Sequence, residues 1–297
     1  MKIAIASGKG GTGKTTLSTN LAAYISETIS NDSNGQVVLV DLDVEEPNSG
    51  LFIKGNILKD EYKYRATPVW DSNKCTLCGE CKTVCNFNAI AQLPNTILIF
   101  SELCHSCFAC SELCPEQALP MVNKRMGVLK HYQQAGNLPN NDKLTFIESR
   151  LDIGEISAVP LIKQTIEYVE DNFSDEIIKI FDSAPGTSCP VIETIKDADF
   201  VILVTEPTPF GLHDLKLAVE TVKELGREFA IVINRYGIGD NGVEQYCLEN
   251  NIQIIGKIPN MRQAASLYSQ GELLYDKIPA IKEQLVLIYQ AINRINR

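Results

Sequence analysis

A glycine-rich segment near the start of the chain has the residue types needed to hold the phosphates of a nucleotide. From Gly8 it reads Gly-Lys-Gly-Gly-Thr-Gly-Lys-Thr, which fits the pattern Gly-x-x-x-x-Gly-Lys-Thr. Glycines let backbone N–H groups close around phosphate oxygens, the lysine reaches the β- and γ-phosphates, and the threonine hydroxyl can ligate Mg²⁺. We therefore predict a nucleotide site that contains Gly8, Gly10, Gly11, Thr12, Gly13, Lys14, Thr15 and Thr16.

Three aspartates follow apolar stretches and could serve the same phosphates. Asp41 and Asp43 come at the end of one predicted strand, and Asp182 ends another. Alternate residues leaving a strand point the same way, and the carboxyl ends of parallel strands meet at one edge of a sheet. We expect Asp41 and Asp182, with Thr15, to serve the Mg²⁺ ion, and Asp43 to position the attacking water. A solvated acidic turn is the alternative for the first two aspartates.

Eight of the ten cysteines form two runs with the spacing Cys-x-x-Cys-x-x-Cys-x-x-x-Cys. The runs are Cys75, Cys78, Cys81, Cys85 and Cys104, Cys107, Cys110, Cys114. Bacterial two-cluster ferredoxins have this spacing, and the fourth cysteine of each run ligates the other [4Fe–4S] cluster. The rule predicts a first cysteine set, Cys75, Cys78, Cys81 and Cys114, and a second cysteine set, Cys85, Cys104, Cys107 and Cys110. Zinc is the alternative, but one zinc ion usually takes two Cys-x-x-Cys pairs.

Three other residues could take part in this chemistry. His105 lies between two cysteines of the second run and could tune a cluster, although an exposed polar residue is the simpler interpretation. Cys189, which follows Asp182, is interpreted as a buried switch thiol. Cys247 lies on a predicted helix, where we expect it to be a small buried hydrophobe.

The elements that must position these residues alternate between strands and helices. Buried strands are predicted at 2–7, 36–40, 177–182, 200–205, 229–234 and 252–257, and helices at 15–29, 159–169, 212–225, 242–250 and 279–294. Less regular predictions are a short helix at 51–59, an extended stretch at 62–70, and a hairpin with arms at 127–132 and 143–147 around a turn at 137–141. The alternation implies right-handed crossovers and a mostly parallel sheet.

The composition narrows the class of protein. A chain of 297 residues with 44% hydrophobic and 22% charged residues fits a globular protein of one large or two smaller domains. The net charge of −10 disfavours a large nucleic-acid surface. We find no spanning apolar run and no signal peptide, so we expect a cytoplasmic protein without a membrane partner. The 279–294 helix is expected to pack on its own sheet, with membrane targeting as the alternative.

The glycine-rich loop and the aspartates carry a resemblance to a known family. Lys9 with Lys14, followed by Asp41-x-Asp43, resembles the deviant Walker ATPases of the MinD/ParA/Mrp and nitrogenase iron-protein group. In that group the residue matched by Lys9 reaches across a dimer interface to the partner's nucleotide. The resemblance implies ATP or ADP with Mg²⁺, a homodimer or a heterodimer with a related ATPase, and hydrolysis that is slow without a partner.

The resemblance also extends to the base pocket and to the cysteine runs. It implies that the pair Asn234-Arg235 supplies the asparagine that contacts the adenine, and that the loop at Pro259 closes the pocket. An ordinary strand-end turn is the alternative for these residues. The whole chain resembles MinD-superfamily ATPases that contain a ferredoxin domain. The expected fold is α/β, a P-loop NTPase domain at 1–64 and 121–297 with a small α+β ferredoxin-like domain inserted at 65–120.

Three functions are compatible with these expectations. The leading hypothesis is an ATP-hydrolysing electron carrier in which the nucleotide state of a dimer controls two [4Fe–4S] clusters and a redox partner protein. The first alternative is an iron–sulfur cluster carrier or assembly ATPase of the Mrp type. The second is a MinD-like spatial organiser whose clusters are structural or sense redox state. No nucleic-acid partner is expected.

Overall fold

A computed structural model describes residues 1–29, 35–133 and 143–295. The chain divides into two compact units. The first comprises Met1–Asp60, Leu129–Arg150 and Ile162–Arg297, and the second comprises Glu61–Val128 and Leu151–Leu161. The insertion expected at 65–120 lies within the residues of the second unit, which also takes in short stretches on either side and a separate segment after residue 150.

The elements follow one another as strands and helices. The chain begins with β1 (Lys2–Ala6), α1 (Lys14–Thr28), β2 (Val37–Asp41), β3 (Asn56–Pro68), α2 (Glu80–Thr83), β4 (Ile90–Leu93), β5 (Thr96–Ile99) and α3 (Ala109–Glu112). It continues with β6 (Met121–Gln133), β7 (Leu144–Leu151), α4 (Ala158–Asn172), β8 (Ile178–Asp182) and α5 (Cys189–Ile195). It ends with β9 (Phe200–Thr205), α6 (Pro209–Glu224), β10 (Phe229–Tyr236), α7 (Gly242–Glu249), β11 (Ile254–Pro259), α8 (Arg262–Ser269) and α9 (Pro279–Ile295).

Most of the described strands join one sheet, in the order β11-β10-β9-β1-β8-β2-β7-β6-β3. Every neighbouring pair from β11 to β7 runs parallel, which confirms the predicted mostly parallel sheet. In the register of the central strands, Asp182 lies opposite Asp41 on one side and Ile5 on the other. The carboxyl ends of β1, β8 and β2 therefore lie level with one another, where the glycine-rich loop leaves β1.

The core of the first unit forms where helices cover this sheet. Side chains of β1, β2, β8, β9 and β10 pack with α1 and α9 in one apolar cluster. Strands buried on both faces read as runs of valine and isoleucine, as these do. The apolar face of α9 is buried as predicted, through Ile281, Leu285, Ile288 and Ile292. None of the described helices is both long and apolar enough to span a membrane.

Two differences from the sequence-based expectations have local causes, and one expectation falls outside the described residues. The short helix predicted at 51–59 is wrong, because residues from Asn56 onward form β3 at the edge of the sheet and only Ser49–Leu51 makes a helical turn. Sheet pairing here overrides a weak local pattern. Helices α5 and α8 were not predicted, since both are short. The turn expected at 137–141 lies outside the described residues.

Asn20 joins α1 to the segment that precedes α9. Its side-chain oxygen accepts the backbone N–H groups of Leu274 (2.6 Å) and Tyr275 (3.0 Å), and its amide donates to the carbonyl of Thr16 (2.7 Å). The side chain is buried, so water cannot replace these bonds.

We predict that Asn20→Ala lowers the free energy of unfolding by about 2 to 4 kcal/mol, because two buried amides lose their acceptor. Urea unfolding followed by circular dichroism measures the change. Asn172→Ala is the matched control, since the Asn172 amide bonds the Tyr168 carbonyl on the exposed face of α4. Equal stability of the two variants would contradict the role given to Asn20.

Candidate functional site

The glycine-rich loop lies between β1 and the start of α1, as the sequence predicts. Gly13 caps α1 in the left-handed region, at φ 95°. A Cβ atom on Gly13 would lie 2.1 Å from the amide nitrogen of Asn234, so glycine is required by space as well as by φ. That amide donates to the Thr12 carbonyl (2.7 Å), and Asn234 therefore ties the end of β10 to the loop.

A cavity of about 510 Å³ opens beside this loop. Ten of the predicted residues line it: Gly10, Gly11, Gly13, Lys14, Thr15, Thr16, Asp43, Asn234, Arg235 and Pro259. Its size lies in the range of small-molecule sites. The loop, the end of β2 and the ends of β10 and β11 thus converge on one space, although they are far apart in the chain.

Five predicted residues do not line the cavity, and each lies behind or beside it: Gly8, Lys9, Thr12, Asp41 and Asp182. Gly8 packs against α6, where a Cβ atom would lie 2.1 Å from the carbonyl oxygen of Asp214. Thr12 is buried, and its carbonyl accepts the amide of Asn234. These two residues shape the loop from behind.

Lys14 is buried at the start of α1, and its ammonium donates to the hydroxyl of Ser7 (2.9 Å). Burial lowers the pKa of Lys14, because a charged ammonium is poorly solvated there. The carboxylates of Asp182, Asp43 and Asp41 act in the opposite direction and raise that pKa. The lysine and the three predicted aspartates therefore share one electrostatic environment.

Asp41 is fully buried and organises the loop that follows β2. Its carboxylate accepts backbone N–H groups from Asp43 (3.1 Å), Asn48 (3.0 Å) and Ser49 (2.9 Å). Burial raises the pKa of Asp41 well above its usual value, and the neighbouring Asp182 adds to the effect. The carboxylate of Asp41 thus holds the backbone that carries Asp43, and a contact with magnesium stays a prediction.

Asp182 lies beside Asp41 and faces the start of α1. One carboxylate oxygen accepts the hydroxyl of Ser49 (3.2 Å), while the other, Oδ1, is buried without a hydrogen-bond partner among the described residues. Burial raises the pKa of Asp182, and hydrogen bonding from Thr15 lowers it. A buried carboxylate oxygen next to a threonine hydroxyl fits a cation that is bound together with phosphate.

Asp43 is the aspartate that reaches the cavity. It is half-buried, and burial is the largest of the effects that raise its pKa to about 6. Asp182 raises this pKa further, whereas Lys14 lowers it. Most Asp43 side chains are therefore ionised at pH 7, in a position to accept a hydrogen bond inside the cavity.

Lys9 is engaged within its own chain. Its ammonium lies 3.3 Å from Oε2 of Glu206, and the other oxygen of the same carboxylate accepts Arg235 at 2.6 Å. Only 9% of the Glu206 side chain is exposed, whereas the side chains of Lys9 and Arg235 are 30% and 51% exposed. Glu206 was not predicted from the sequence, because no motif links the residue after β9 to Lys9.

The sequence reasoning also missed one wall of the cavity. Helix α8 and the residue before it supply Met261, Ala264, Ala265 and Tyr268, and the loop after β2 supplies Glu46 and Asn48. The small alanines leave room for a flat group next to an aromatic ring. A helix predicted after Pro259 would have found this wall, but α8 is short and has no start signal in its side chains.

The described residues contain no group of three or more His, Cys, Asp and Glu side chains that could hold a metal ion. Magnesium sites in nucleotide-binding proteins commonly use one or two protein oxygens, with phosphates and water completing the shell. Thr15 and Asp182 stay the predicted protein ligands of such an ion.

The cysteine runs lie in the second unit and line two small cavities. One is lined by Cys75, Cys78, Cys81 and Cys114, and the other by Cys85, Cys104, Cys107 and Cys110. The pKa of Cys81 is raised by burial and then by thiolates of its own cavity. Burial raises the pKa of Cys110 to about 11, again with the thiolates of its cavity adding to the effect. Each cavity thus collects three cysteines of one run and the fourth of the other.

The backbone hydrogen bonds and left-handed residues around one cavity recur at matching positions around the other. Leu77 N–H donates to Cys75 Sγ and Ser106 N–H donates to Cys104 Sγ, both at 3.4 Å. The fourth cysteines of the runs have matching bonds: Ala89 N–H donates to Cys85 Sγ and Ala118 N–H donates to Cys114 Sγ, both at 3.3 Å. Left-handed residues also recur in matching places: Leu77 and Ser106, Gly79 and Phe108, Asn88 and Gln117.

The predictions for Cys247, Cys189 and His105 have different results in the structure. Cys247 is 1% exposed on α7, which confirms the predicted buried role. Cys189 is exposed at the start of α5, so the prediction of a buried thiol is wrong; the short helix begins there and turns the side chain outward. His105 is exposed and stacks on Phe87, with ring centroids 3.9 Å apart, where both line the second cavity.

Comparison with known proteins identifies the nucleotide-binding part of the chain. A family model described as the CobQ/CobB/MinD/ParA nucleotide binding domain matches residues 3–274. An uncharacterised protein of Methanocaldococcus jannaschii is 30% identical over 279 residues, which is 92% of this chain and 90% of its own. A second uncharacterised protein of that organism is 29% identical over 297 residues, 98% of this chain and 96% of its own.

Solved structures share the fold at low sequence identity. The cell division ATPase MinD of Pyrococcus furiosus has a TM-score of 0.57 and 18% identity, with 98% of both chains covered. The MinD protein of Pyrococcus horikoshii, solved with Mg-ADP, has a TM-score of 0.59 and 15% identity, covering 100% of this chain and 97% of its own. At such identities the likeness shows the α/β fold alone.

We predict that Asn234→Asp lowers the affinity for Mg-ATP by about tenfold or more. The change places a carboxylate against the Thr12 carbonyl and adds negative charge beside the expected phosphates. Asn234→Ala loses the hydrogen bond without adding charge, and its affinity should fall by less, about two- to fivefold. Titration with a fluorescent ATP analogue measures both.

Asn250→Asp is the matched control, because Asn250 lies at the exposed end of α7 and is not among the cavity-lining residues. If Asn234→Asp binds nucleotide as tightly as this control, Asn234 does not support the loop in the way described.

Proposed function

The chain belongs to the CobQ/CobB/MinD/ParA family of nucleotide-binding domains, and we propose that it is an ATP-hydrolysing iron–sulfur protein. In this proposal the nucleotide state of a dimer controls electron transfer through two [4Fe–4S] clusters. The observation that carries it is the presence, in one chain, of a lined phosphate-loop cavity and two separate cavities with four cysteines each.

ATP with magnesium is the nucleotide that we propose for this cavity. The amides of the glycine-rich loop and the N-terminus of α1 favour phosphate oxygens, and Lys14 adds a positive charge. Thr15 and the free oxygen of Asp182 would share the magnesium ion with the phosphates. A MinD protein of Pyrococcus horikoshii is known in complex with Mg-ADP, and similar binding is proposed for this chain.

Hydrolysis would be the in-line attack of a water molecule on the γ-phosphate. Asp43 lies in the cavity wall and is largely ionised at pH 7, so its carboxylate can orient that water by accepting a hydrogen bond. The loop amides and Lys14 would stabilise the charge that develops on the phosphate oxygens. Asp41 supports this geometry by holding the backbone of the Asp43 loop.

The cysteine sets fit a multi-iron cluster by donor chemistry, although the side chains of the described residues do not already form a metal-binding group. A [4Fe–4S] cluster takes four thiolates, and each cavity offers four. The N–H groups of Leu77, Ala89, Ser106 and Ala118 already point at cysteine sulfurs, and hydrogen bonds of this kind stabilise thiolate ligands. When bound, such clusters supply one-electron transfer.

Two related functions are the alternatives to this proposal. A cluster carrier of the Mrp type would give its clusters to an acceptor protein. A MinD-like organiser would show ATP-dependent assembly whatever the redox state of its clusters. Cys247 is buried on α7 and cannot share a transferable cluster at a surface, which favours retained clusters.

We predict about eight iron atoms per chain after anaerobic purification, and an EPR signal of reduced [4Fe–4S] clusters whose midpoint potential changes with Mg-ATP. Cys107→Ser should lose the signal of one cluster. Cys189→Ser, which changes an exposed thiol outside both sets, should keep both clusters. Zinc in place of iron, or potentials that ignore Mg-ATP, would contradict the proposal.

We predict that Lys9→Ala still binds Mg-ATP but no longer forms an ATP-dependent dimer, because its ammonium is expected to reach the partner's phosphates. Light scattering after size exclusion measures the mass, and hydrolysis should fall by about tenfold or more. Lys54→Ala removes an exposed positive charge from the same unit and serves as the control. Dimerisation of Lys9→Ala equal to that of Lys54→Ala would reject the role of Lys9.

A further inference from the structure

The two cysteine sets have the same local frame, so differences between them must come from their surroundings. The N–H bonds to the first cysteines have equal lengths, as do those to the fourth cysteines. Short helices α2 and α3 occupy matching places after the left-handed residues. Hydrogen bonding to sulfur, one of the main influences on cluster potential, is therefore balanced between the sets.

Arg65 breaks this balance, and it does so at the second set. Its guanidinium donates to the carbonyl of Cys104 and to the carbonyl of Ser101, each at 2.8 Å. It also pairs with the carboxylate of Glu155 at 2.7 Å, and that carboxylate lies 3.5 Å from the ammonium of Lys124. The Arg65 side chain is 1% exposed and Glu155 is 4% exposed, so this pair is shielded from solvent.

The group of Arg65, Glu155 and Lys124 carries one net positive charge. The contacts place the guanidinium directly on the backbone of a cluster ligand, whereas Glu155 touches the guanidinium and the lysine. The positive end of the ion pair therefore faces the second set. A buried cation acts strongly at short range, because the surrounding dielectric constant is far below that of water.

The described residues that line the first cavity include no lysine or arginine. Two carboxylate residues, Glu80 and Glu116, are among the described residues that line its cavity. The described residues lining the second cavity include no carboxylate; aromatic side chains of Phe87, His105 and Phe108 stand there instead. Negative charge near a cluster disfavours the addition of an electron, and positive charge favours it.

We propose that Arg65 makes the second cysteine set the higher-potential electron site, so that a single electron from a one-electron donor protein would reside on a cluster held by Cys85, Cys104, Cys107 and Cys110. This inference rests on the proposed iron–sulfur function and adds the order in which the two clusters would be reduced. A cluster held by Cys75, Cys78, Cys81 and Cys114 would then accept an electron only at lower potential. Arg65 acts through the Cys104 carbonyl, as a positioning residue with an electrostatic effect.

The test is a potentiometric titration of the anaerobically purified full chain, followed by EPR. The two signals are assigned with Cys78→Ser and Cys107→Ser, which change the exposed cysteine of the first and second set respectively. In the unchanged protein the signal lost in Cys107→Ser should be the one that is reduced at the higher potential.

Removing the positive charge of Arg65 and removing the negative charge of Glu155 should shift the ratio of reduced second cluster to reduced first cluster in opposite directions. Arg65→Met should lower the fraction of reduced second cluster, relative to the first, by about tenfold at a fixed potential, because a buried cation is lost. Glu155→Gln should raise that ratio, since it leaves the guanidinium unpaired. Arg65→Lys should keep most of the ratio, because the charge is retained. Arg125→Met is the matched control, since Arg125 pairs with Asp152 on the exposed surface of the same unit.

The outcomes separate the two ideas. Absence of iron from the unchanged protein rejects the proposed function. Two clusters with equal potentials, or a first cluster with the higher potential, reject only the role of Arg65. If Arg65→Met loses its second cluster, the test uses Glu155→Gln and Arg65→Lys instead. The proposal is overturned if Glu155→Gln has the same ratio of reduced second to reduced first cluster as the Arg125→Met control.

Discussion

Two buried carboxylates on neighbouring strands set the main constraint on this protein. Asp41 and Asp182 face each other in the register of β2 and β8, and both are shielded from water. Such a pair is unfavourable unless positive charge and hydrogen-bond donors surround it. The start of α1, the ammonium of Lys14 and the amides of the loop after β2 provide these groups. The groups that stabilise the acidic pair are therefore also groups of the nucleotide site.

Contiguous motifs were the predictable part of this architecture. Each of these motifs is a short pattern of neighbouring residues that indicates its own chemistry. They are the glycine-rich loop, the strand that ends in Asp182 and the two cysteine runs. The parallel sheet followed from the alternation of buried strands with amphipathic helices. Predictions were weakest where an element is short or lies at an edge, as with β3 and α8, because neighbouring strands and side chains decide those conformations.

Contacts between distant residues were beyond sequence reasoning. Asn20 with Leu274, Glu206 with Lys9, and Arg65 with Cys104 each join parts of the chain that no spacing connects. Each of these contacts depends on burial, which strengthens hydrogen bonds and ion pairs but cannot be read from a side-chain type alone. The same holds for the pKa of Asp43, which reflects its place in the cavity wall.

Glu206 has a consequence for how such an ATPase returns to its starting state. One carboxylate holds both Lys9 and Arg235, and only Arg235 also lines the nucleotide cavity. A lysine that is to serve another subunit must first leave this carboxylate, so assembly swaps one charged contact for another. A swap between contacts of similar strength has a small net free energy, in contrast to burial of a large new apolar surface. In the proposed dimer, the nucleotide and not the affinity of the subunits would then decide the balance between the assembled and separate states.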